Sequence, residues 1–135
     1  MGAGWYFFDS PAPEPLGSNE CQRRLIAIAA IRGEVNNGGF HQFFFNSSGH
    51  LGSDALVAVR EVEDMTLASI LDDALRRFGE QVPLDRDERQ TALLRMPDDE
   101  FRQLDRAYYD HEEASDLDDL MDRYVWSHAV EFFEK

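Results

Sequence analysis

The chain has 135 residues, with 27 acidic side chains against 13 basic ones and a formal net charge of −14. A hydrophobic fraction of 43% is too high for a disordered acidic tail, and the length suits a single globular domain. The negative charge disfavours direct binding to nucleic acid or to anionic membranes, and it favours basic protein partners. No apolar stretch reaches the roughly 18 residues of a membrane span, and the start lacks a secretory signal, so we expect a cytoplasmic protein.

Residues 1–17 are predicted to form an extended arm. An aromatic run at 5–8 precedes Pro11, Pro13 and Pro15, and prolines at this spacing do not continue a helix. We expect the aromatic side chains to pack on the rest of the protein, and a partner-binding peptide is the alternative. The globular domain itself is predicted to span residues 18–135.

Two helices separated by a sharp corner are predicted after the arm. The apolar run at 25–31 belongs to a buried helix that the segment Asn36-Asn37-Gly38-Gly39 ends, because asparagine and glycine accept left-handed backbone at a helix end. A short helix then places Phe40, Phe43 and Phe44 on one apolar stripe, since they follow i, i+3, i+4 spacing.

The rest of the chain also has helical periodicity. A cap at Ser53-Asp54 predicts a helix to about Val62, and Pro97 followed by three acids predicts another helix start. Apolar side chains at helical spacing predict the inner faces of three helices; they are Leu67, Ile70, Leu71, Ala74, Leu75 and Phe78, then Phe101, Leu104, Tyr108 and His111, then Leu117, Leu120, Met121, Tyr124, Val125, His128 and Phe132. No hairpin signal is present. The predicted fold is all-α, a single compact multi-helix domain.

Negative charge is concentrated near the carboxyl end. Eleven acids lie between residues 98 and 122, where Arg102 and Arg106 are the only basic residues. Like charges one turn apart destabilise a helix by only about 0.2–0.5 kcal/mol per pair, so the fold tolerates them. This surface is either a solvated face that keeps the protein soluble or a site for a basic partner. The predicted partner-binding residues are Asp98, Asp99, Asp105, Asp110, Glu112, Glu113, Asp116, Asp118, Asp119 and Asp122.

Signatures of metal sites and of common catalytic motifs are not evident in the sequence. The four histidines form no HExxH motif, and a single cysteine makes no CxxC. The run His111-Glu112-Glu113 with Asp116 is a weak metal candidate, because a helical site needs same-face spacing and supporting groups. We therefore expect no cofactor and no metal. Cys21 shows no evident basic partner and is interpreted as an ordinary cysteine.

An enzyme would require an acid–base cluster, and Glu34, His41 and Gln42 are the residues that could form one. The structural alternative is stronger, because buried carboxylates and amides at a helix corner usually satisfy backbone groups that the break leaves without partners. We expect no catalytic residue here.

The segment GEVNNGGFHQFFFNSSG resembles the signature of a bacterial family of small helical proteins typified by a DNA mimic, Glu-x-x-Asn-Gly-Gly-Phe-x-Gln-Phe/Tyr-Phe-x-Asn. The matching residues are Glu34, Asn37, Gly38, Gly39, Phe40, Gln42, Phe43, Phe44 and Asn46. One departure is Val62-Glu63-Asp64, where the family is expected to have a small turn containing glycine. The resemblance implies an all-α domain and, for the typical member, an acidic dimer that occupies the DNA-binding surface of a transcription regulator.

The family motif itself is expected to be structural. Gly38 and Gly39 would allow close helix approach, while Glu34, Asn37, Gln42 and Asn46 would bond the interrupted backbone. We expect a non-enzymatic acidic binding protein that engages a basic surface, as a DNA mimic does, and a homodimer would double that surface. The alternative is an immunity or toxin-neutralising protein, as suspected for other relatives, followed by an enzyme that uses Glu34, His41 and Gln42.

Overall fold

The computed structural model describes residues 20–129, and its regular elements are all helices. They are α1 (Glu20–Phe45), a 3-10 helix (Ser47–Leu51), α2 (Gly52–Glu61), α3 (Met65–Arg76), α4 (Arg86–Leu94), α5 (Arg102–Ala114) and α6 (Leu117–Ser127). This range contains no strand, which confirms the all-α prediction for it. The predicted N-terminal arm and Phe132 lie outside the described residues.

The long helix α1 is the centre of the fold. It packs against the 3-10 helix, α2, α4, α5 and α6, while α3 packs on α2 and α5. The apolar stripe predicted at its carboxyl end is confirmed, because Phe40, Phe43 and Phe44 are all buried. Their rings contact aromatic residues from the rest of the chain, including Tyr108 on α5 and Phe78 after α3. Burying such large rings is the main source of hydrophobic stabilisation in this part of the core.

The inner faces predicted for the later helices are confirmed for ten of their sixteen described residues, and the other six are half-buried: Leu75, Phe78, His111, Met121, Val125 and His128. Leu67, Ile70, Leu71 and Ala74 of α3 are buried, as are Phe101, Leu104 and Tyr108 at α5 and Leu117, Leu120 and Tyr124 of α6. None of the helices between residues 20 and 129 combines the length and the apolar character that crossing a membrane requires.

Two predicted helix starts are wrong. α2 begins at Gly52, before Ser53-Asp54, because the preceding 3-10 helix runs directly into it. α5 begins at Arg102, one turn later than Pro97 suggests. Turn bonds from Glu100 N–H to the Pro97 carbonyl and from Arg102 N–H to the Asp99 carbonyl come first.

The turn between α2 and α3 contains Val62-Glu63-Asp64, where the resemblance led us to expect a glycine. Glu63 has φ of 64°, a left-handed conformation in which glycine carries no steric penalty and other residues do. Asp64 then caps α3 by accepting a hydrogen bond from the Leu67 N–H at 3.0 Å. A glycine would suit the position of Glu63 better, because it would carry no steric penalty there.

Candidate functional site: the broken helix and the acidic surface

The helix α1 is broken at two glycines in the family motif. Gly38 has φ and ψ of −156° and 17°, and Gly39 has 80° and −178°, far from helical values. A Cβ atom at Gly39 would lie 2.5 Å from Oδ2 of Asp105 on α5. Gly39 is therefore required both by its positive φ and by the close approach of α5, which confirms the predicted corner.

Side chains of α5 bind the backbone on both sides of the break. The Phe40 N–H would donate to Asn36 in a continuous helix, and here it donates to Oδ1 of Asp105 at 2.8 Å. On the other side, the Tyr109 hydroxyl donates to the Val35 carbonyl at 2.9 Å. Asp105 and Tyr109 are one turn apart, so a single face of α5 serves both groups.

Two of the predicted partner-binding acids have internal roles instead. Asp105 is half-buried, and this burial raises the pKa of its carboxyl, although the Phe40 N–H and the nearby His41 oppose the shift. Glu112 is also half-buried; it accepts from the Asn36 side-chain amide at 3.0 and 3.1 Å and lies 3.5 Å from Arg32. The prediction that Asp105 and Glu112 face a partner is wrong, because both face α1.

The acid and amides of the family motif bond mainly to one another. Oε1 of Glu34 accepts from the Gln42 amide at 2.7 Å and from the Asn46 amide at 2.9 Å. Asn37 is exposed and its side chain makes no hydrogen bond with any residue from 20 to 129. The expectation that these four side chains bond the interrupted backbone is thus wrong, since that role belongs to α5.

The imagined acid–base cluster does not assemble. Glu34 and Gln42 are bonded to each other, whereas His41 is exposed and its ring stacks on Phe45 with 6.0 Å between centroids. His41 instead borders an open cleft of about 450 Å³ between the break and the start of α5. The cleft mixes charges of both signs, because Arg102 and Arg106 line it together with Asp98 and Asp99.

A buried arginine that the sequence analysis missed closes the end of α1. Arg89 has 0% exposure; its guanidinium donates to the carbonyls of Phe44 at 2.7 Å and of Asn46 at 2.8 Å, and also to those of Pro83 and Leu84. Burial lowers the pKa of Arg89. It stands in the charged run DRDERQ, where spacing gave no sign that this arginine, and not Arg86, points inward.

Eight of the ten predicted partner-binding acids are exposed: Asp98, Asp99, Asp110, Glu113, Asp116, Asp118, Asp119 and Asp122. Several of them have local partners. Asp118 pairs with Arg32 at 2.7 Å and Asp119 with Arg123 at 3.2 Å, while Asp116 caps α6 through the Asp119 N–H. Acids in the first turn of a helix are also favoured by its dipole, so those of α6 have a structural explanation.

Among the exposed acids that lie within α5 and α6, three have no such explanation. Asp110, Glu113 and Asp122 make no ion pair or hydrogen bond with another side chain in the range 20–129. Glu113 even lies in the last turn of α5, where the helix dipole disfavours a negative charge by about 0.3–1 kcal/mol. We define Asp110, Glu113 and Asp122 as the open acidic triplet.

The candidate metal site predicted at His111, Glu112, Glu113 and Asp116 does not form either. Nε2 of His111 lies 2.8 Å from Oδ2 of Asp64, and Glu112 faces Arg32, so the two side chains are engaged with different partners. Among residues 20–129, no three histidine, cysteine or acidic side chains are grouped so that they could hold a metal ion.

Cys21 does have a basic partner, which the sequence did not reveal. Its Sγ lies 3.2 Å from Nδ1 of His128, which follows α6. The sequence gave no indication of this contact, because the two residues are separated by 107 positions.

Comparison with models of protein families gives a match that covers the helices described above. The model of a family described as DMP19-like protein matches residues 18–128, a range that includes every helix given above. Comparison with curated proteins and with solved structures finds no match. The family match covers well over half of the chain. The chain therefore belongs to the DMP19-like protein family.

Proposed function

We propose that this protein is a non-enzymatic acidic binding protein that acts as a DNA mimic and occupies the basic DNA-binding surface of a transcription regulator or another nucleic-acid-binding protein. Membership of the DMP19-like family, a family of DNA mimics, supports this function. The observation that carries it is the open acidic triplet, three exposed carboxylates to which the described part of the chain offers no cation. Burial leaves Asp105 and Glu112 out of this surface.

The spacing of the carboxylates limits how closely this surface can resemble the phosphates of DNA. Side chains three or four residues apart on a helix lie about 5–6 Å apart, whereas each DNA strand presents a phosphate about every 3.4 Å along its axis. One helix is therefore too sparse to imitate DNA. Two consecutive helices, α5 and α6, both contribute exposed acids here, and a homodimer would double their number.

Binding of this kind depends on ionic strength. Exposed charges farther apart than about 10 Å are largely screened at 0.1 M salt, so affinity for a basic partner should fall steeply as salt is added. The first experiment is capture of partners from native lysate, eluted with a salt gradient. Captured proteins are then purified, and duplex DNA is added to compete with this protein for each of them.

The variant that tests the surface is Asp110→Asn/Glu113→Gln/Asp122→Asn. Its matched control is Glu80→Gln/Asp87→Asn/Glu88→Gln, which removes the same net charge from exposed acids outside α5 and α6. We expect the first variant to lose affinity for the captured partner and the second to retain it, with unchanged helical content in both. Equal losses would show that only net charge matters. A complex equally tight at low and high salt would contradict the proposal and favour recognition by shape, as in toxin neutralisation.

A further inference from the structure

The side chains of Cys21, His128 and Glu61 contact one another in a row and come from three distant parts of the chain. Cys21 lies in the first turn of α1, His128 directly follows α6, and Glu61 is the last residue of α2. The Cys21 sulfur is 3.2 Å from Nδ1 of His128, and Nε2 of the same ring is 3.0 Å from Oε1 of Glu61. A nucleophile, a base and a carboxylate that orients the base follow one another at hydrogen-bonding distance, as in an activated-thiol site.

The groups around the sulfur have opposing effects on its ionisation. A position at a helix start and the nearby cationic Arg24 favour the thiolate. Arg24 is itself held by Glu20 at 3.4 Å and Glu61 at 3.3 Å, and those carboxylates and the burial of the sulfur favour the thiol. Among the described residues around the sulfur, the imidazole of His128 is the strongest base that can take the thiol proton.

The aromatic residue of this site has a positioning role. The ring of Tyr124 lies 4.5 Å from the ring of His128, measured between centroids. Burial, followed by contact with Cys21, raises the pKa of the Tyr124 hydroxyl, so this group stays neutral and does not compete for the proton. The ring of Tyr124 therefore packs beside the imidazole, tilted by 41° to it, while Glu61 holds its Nε2 end.

We infer that Cys21 is an activated thiol that hydroperoxides oxidise, with His128 as its base and Glu61 as the residue that orients this base. The size of the reagent follows from burial, since Cys21 is 6% exposed and hydrogen peroxide is little larger than water. The product follows from the composition, since the chain has one cysteine and an intrachain disulfide is excluded.

The reaction balances without another oxidant or reductant. His128 takes the thiol proton, and the thiolate sulfur attacks one peroxide oxygen. A new S–O bond forms as the O–O bond breaks, and the leaving hydroxide receives the proton from the imidazolium. The products are the sulfenic acid of Cys21 and water, the sulfur is oxidised by two electrons, and His128 returns to its neutral form.

The test measures the rate of sulfenic acid formation with hydrogen peroxide at pH 7. Samples are quenched at intervals and unfolded in the presence of dimedone, so that this larger reagent reaches the sulfur, and the product is read by intact mass. The reference rate is that of the same chain unfolded in urea, and Cys21→Ser gives the blank. An ordinary cysteine is only a few per cent thiolate at pH 7, while a thiolate of lower pKa is a weaker nucleophile, so we expect the native thiol to react about tenfold faster. A native rate equal to or below that of the unfolded chain would overturn the inference.

Two variants separate activation from mere packing. His128→Gln keeps a polar side chain but no proton acceptor of imidazole basicity, and it should return the rate to that of an ordinary thiol. Glu61→Gln should give a smaller loss, while the matched exchange Glu63→Gln in the next turn should have no effect. Circular dichroism verifies the fold of each variant.

A pH profile provides a second readout that does not require the variants to fold. The rate at which hydrogen peroxide oxidises the native protein should rise with pH, with a midpoint below the value of about 8.5 that is usual for cysteine. Where His128→Gln folds, its midpoint should move upward. A native midpoint at or above about 8.5, or the same midpoint in native protein and His128→Gln, would show a structural cysteine and would refute the activated site.

Discussion

The carboxylate of Asp105 accepts a hydrogen bond from the backbone N–H of Phe40 at 2.8 Å, and this bond joins α5 to the break in α1. The Phe40 side chain is fully buried in the aromatic core, so the same residue connects the break to the hydrophobic interior. An acid that the sequence assigns to a partner-binding surface is thereby part of the structure of the domain.

Two replacements of Asp105 separate the contribution of this hydrogen bond to stability from the contribution of the negative charge. Asp105→Ala leaves the Phe40 N–H without an acceptor, and we expect the free energy of unfolding to fall by about 1–3 kcal/mol. Asp105→Asn keeps an oxygen acceptor and should be clearly less destabilising. Urea denaturation followed by circular dichroism measures both. Equal stability of the alanine variant and the native protein would mean that the bond contributes nothing.

The dependence of stability on pH should differ between the native protein and Asp105→Asn. Burial raises the pKa of Asp105 above its value in the unfolded chain, so the native state binds this proton more tightly. The contribution of Asp105 to stability is therefore fully present below the unfolded pKa of about 3.9, and it is lost as pH rises through the raised folded pKa. We expect the stability of the native protein relative to Asp105→Asn to decline from pH 4 upward and then to level off. A difference that does not change with pH would contradict the raised pKa.

Two glycines of α1 should respond to alanine with opposite signs. Gly39→Ala places a side chain at φ of 80° and against Asp105, so we expect a loss of about 2–4 kcal/mol. Gly33 lies in the regular part of the helix, and no neighbouring atom lies within 4 Å of the position that a Cβ would take. Gly33→Ala should therefore raise the free energy of unfolding by about 0.5–1 kcal/mol. Thermal and urea unfolding of the pair provide the measurement. Equal destabilisation by both substitutions would show that the break in α1 is not what makes Gly39 sensitive to replacement.

Arg89 should be among the most sensitive positions in the protein. Arg89→Met has a similar length but donates no hydrogen bond, so four backbone carbonyls lose a charged donor and stability should fall by at least about 3 kcal/mol. The matched control is Arg95→Met, because Arg95 is exposed and makes no side-chain hydrogen bond within the described range. We expect that exchange to change stability by less than about 0.5 kcal/mol. Comparable urea midpoints for the two variants would argue against a structural role of the buried cation.

The local features of the fold follow from the sequence. The apolar stripe Leu67–Ile70–Leu71–Ala74 predicts the buried face of α3, because the side chains that share a helix face are set by a period of 3.6 residues. The corner at Gly38 and Gly39 is also predictable, because backbone freedom is a property of the residue itself. Helix starts are less predictable, since at Arg102 the preceding turn and not the favourable Pro97 decides where the helix begins.

The roles of the polar residues were decided by tertiary structure. Charge and spacing place Asp105 and Asp110 in one acidic run, yet the first bonds α1 and the second faces solvent. Arg89 and Arg86 stand three positions apart in one charged segment, and only Arg89 is buried.

Sequence alone thus determined the helices, their inner faces and the corner in α1, because each depends on residues within a few turns of one another. It also determined the overall negative charge, which is a sum over all residues. Tertiary structure alone decided which acids remain open and which basic group meets Cys21. The reason is physical: a polar side chain takes its role from the group that it meets, and His128 reaches Cys21 across 107 positions of the chain.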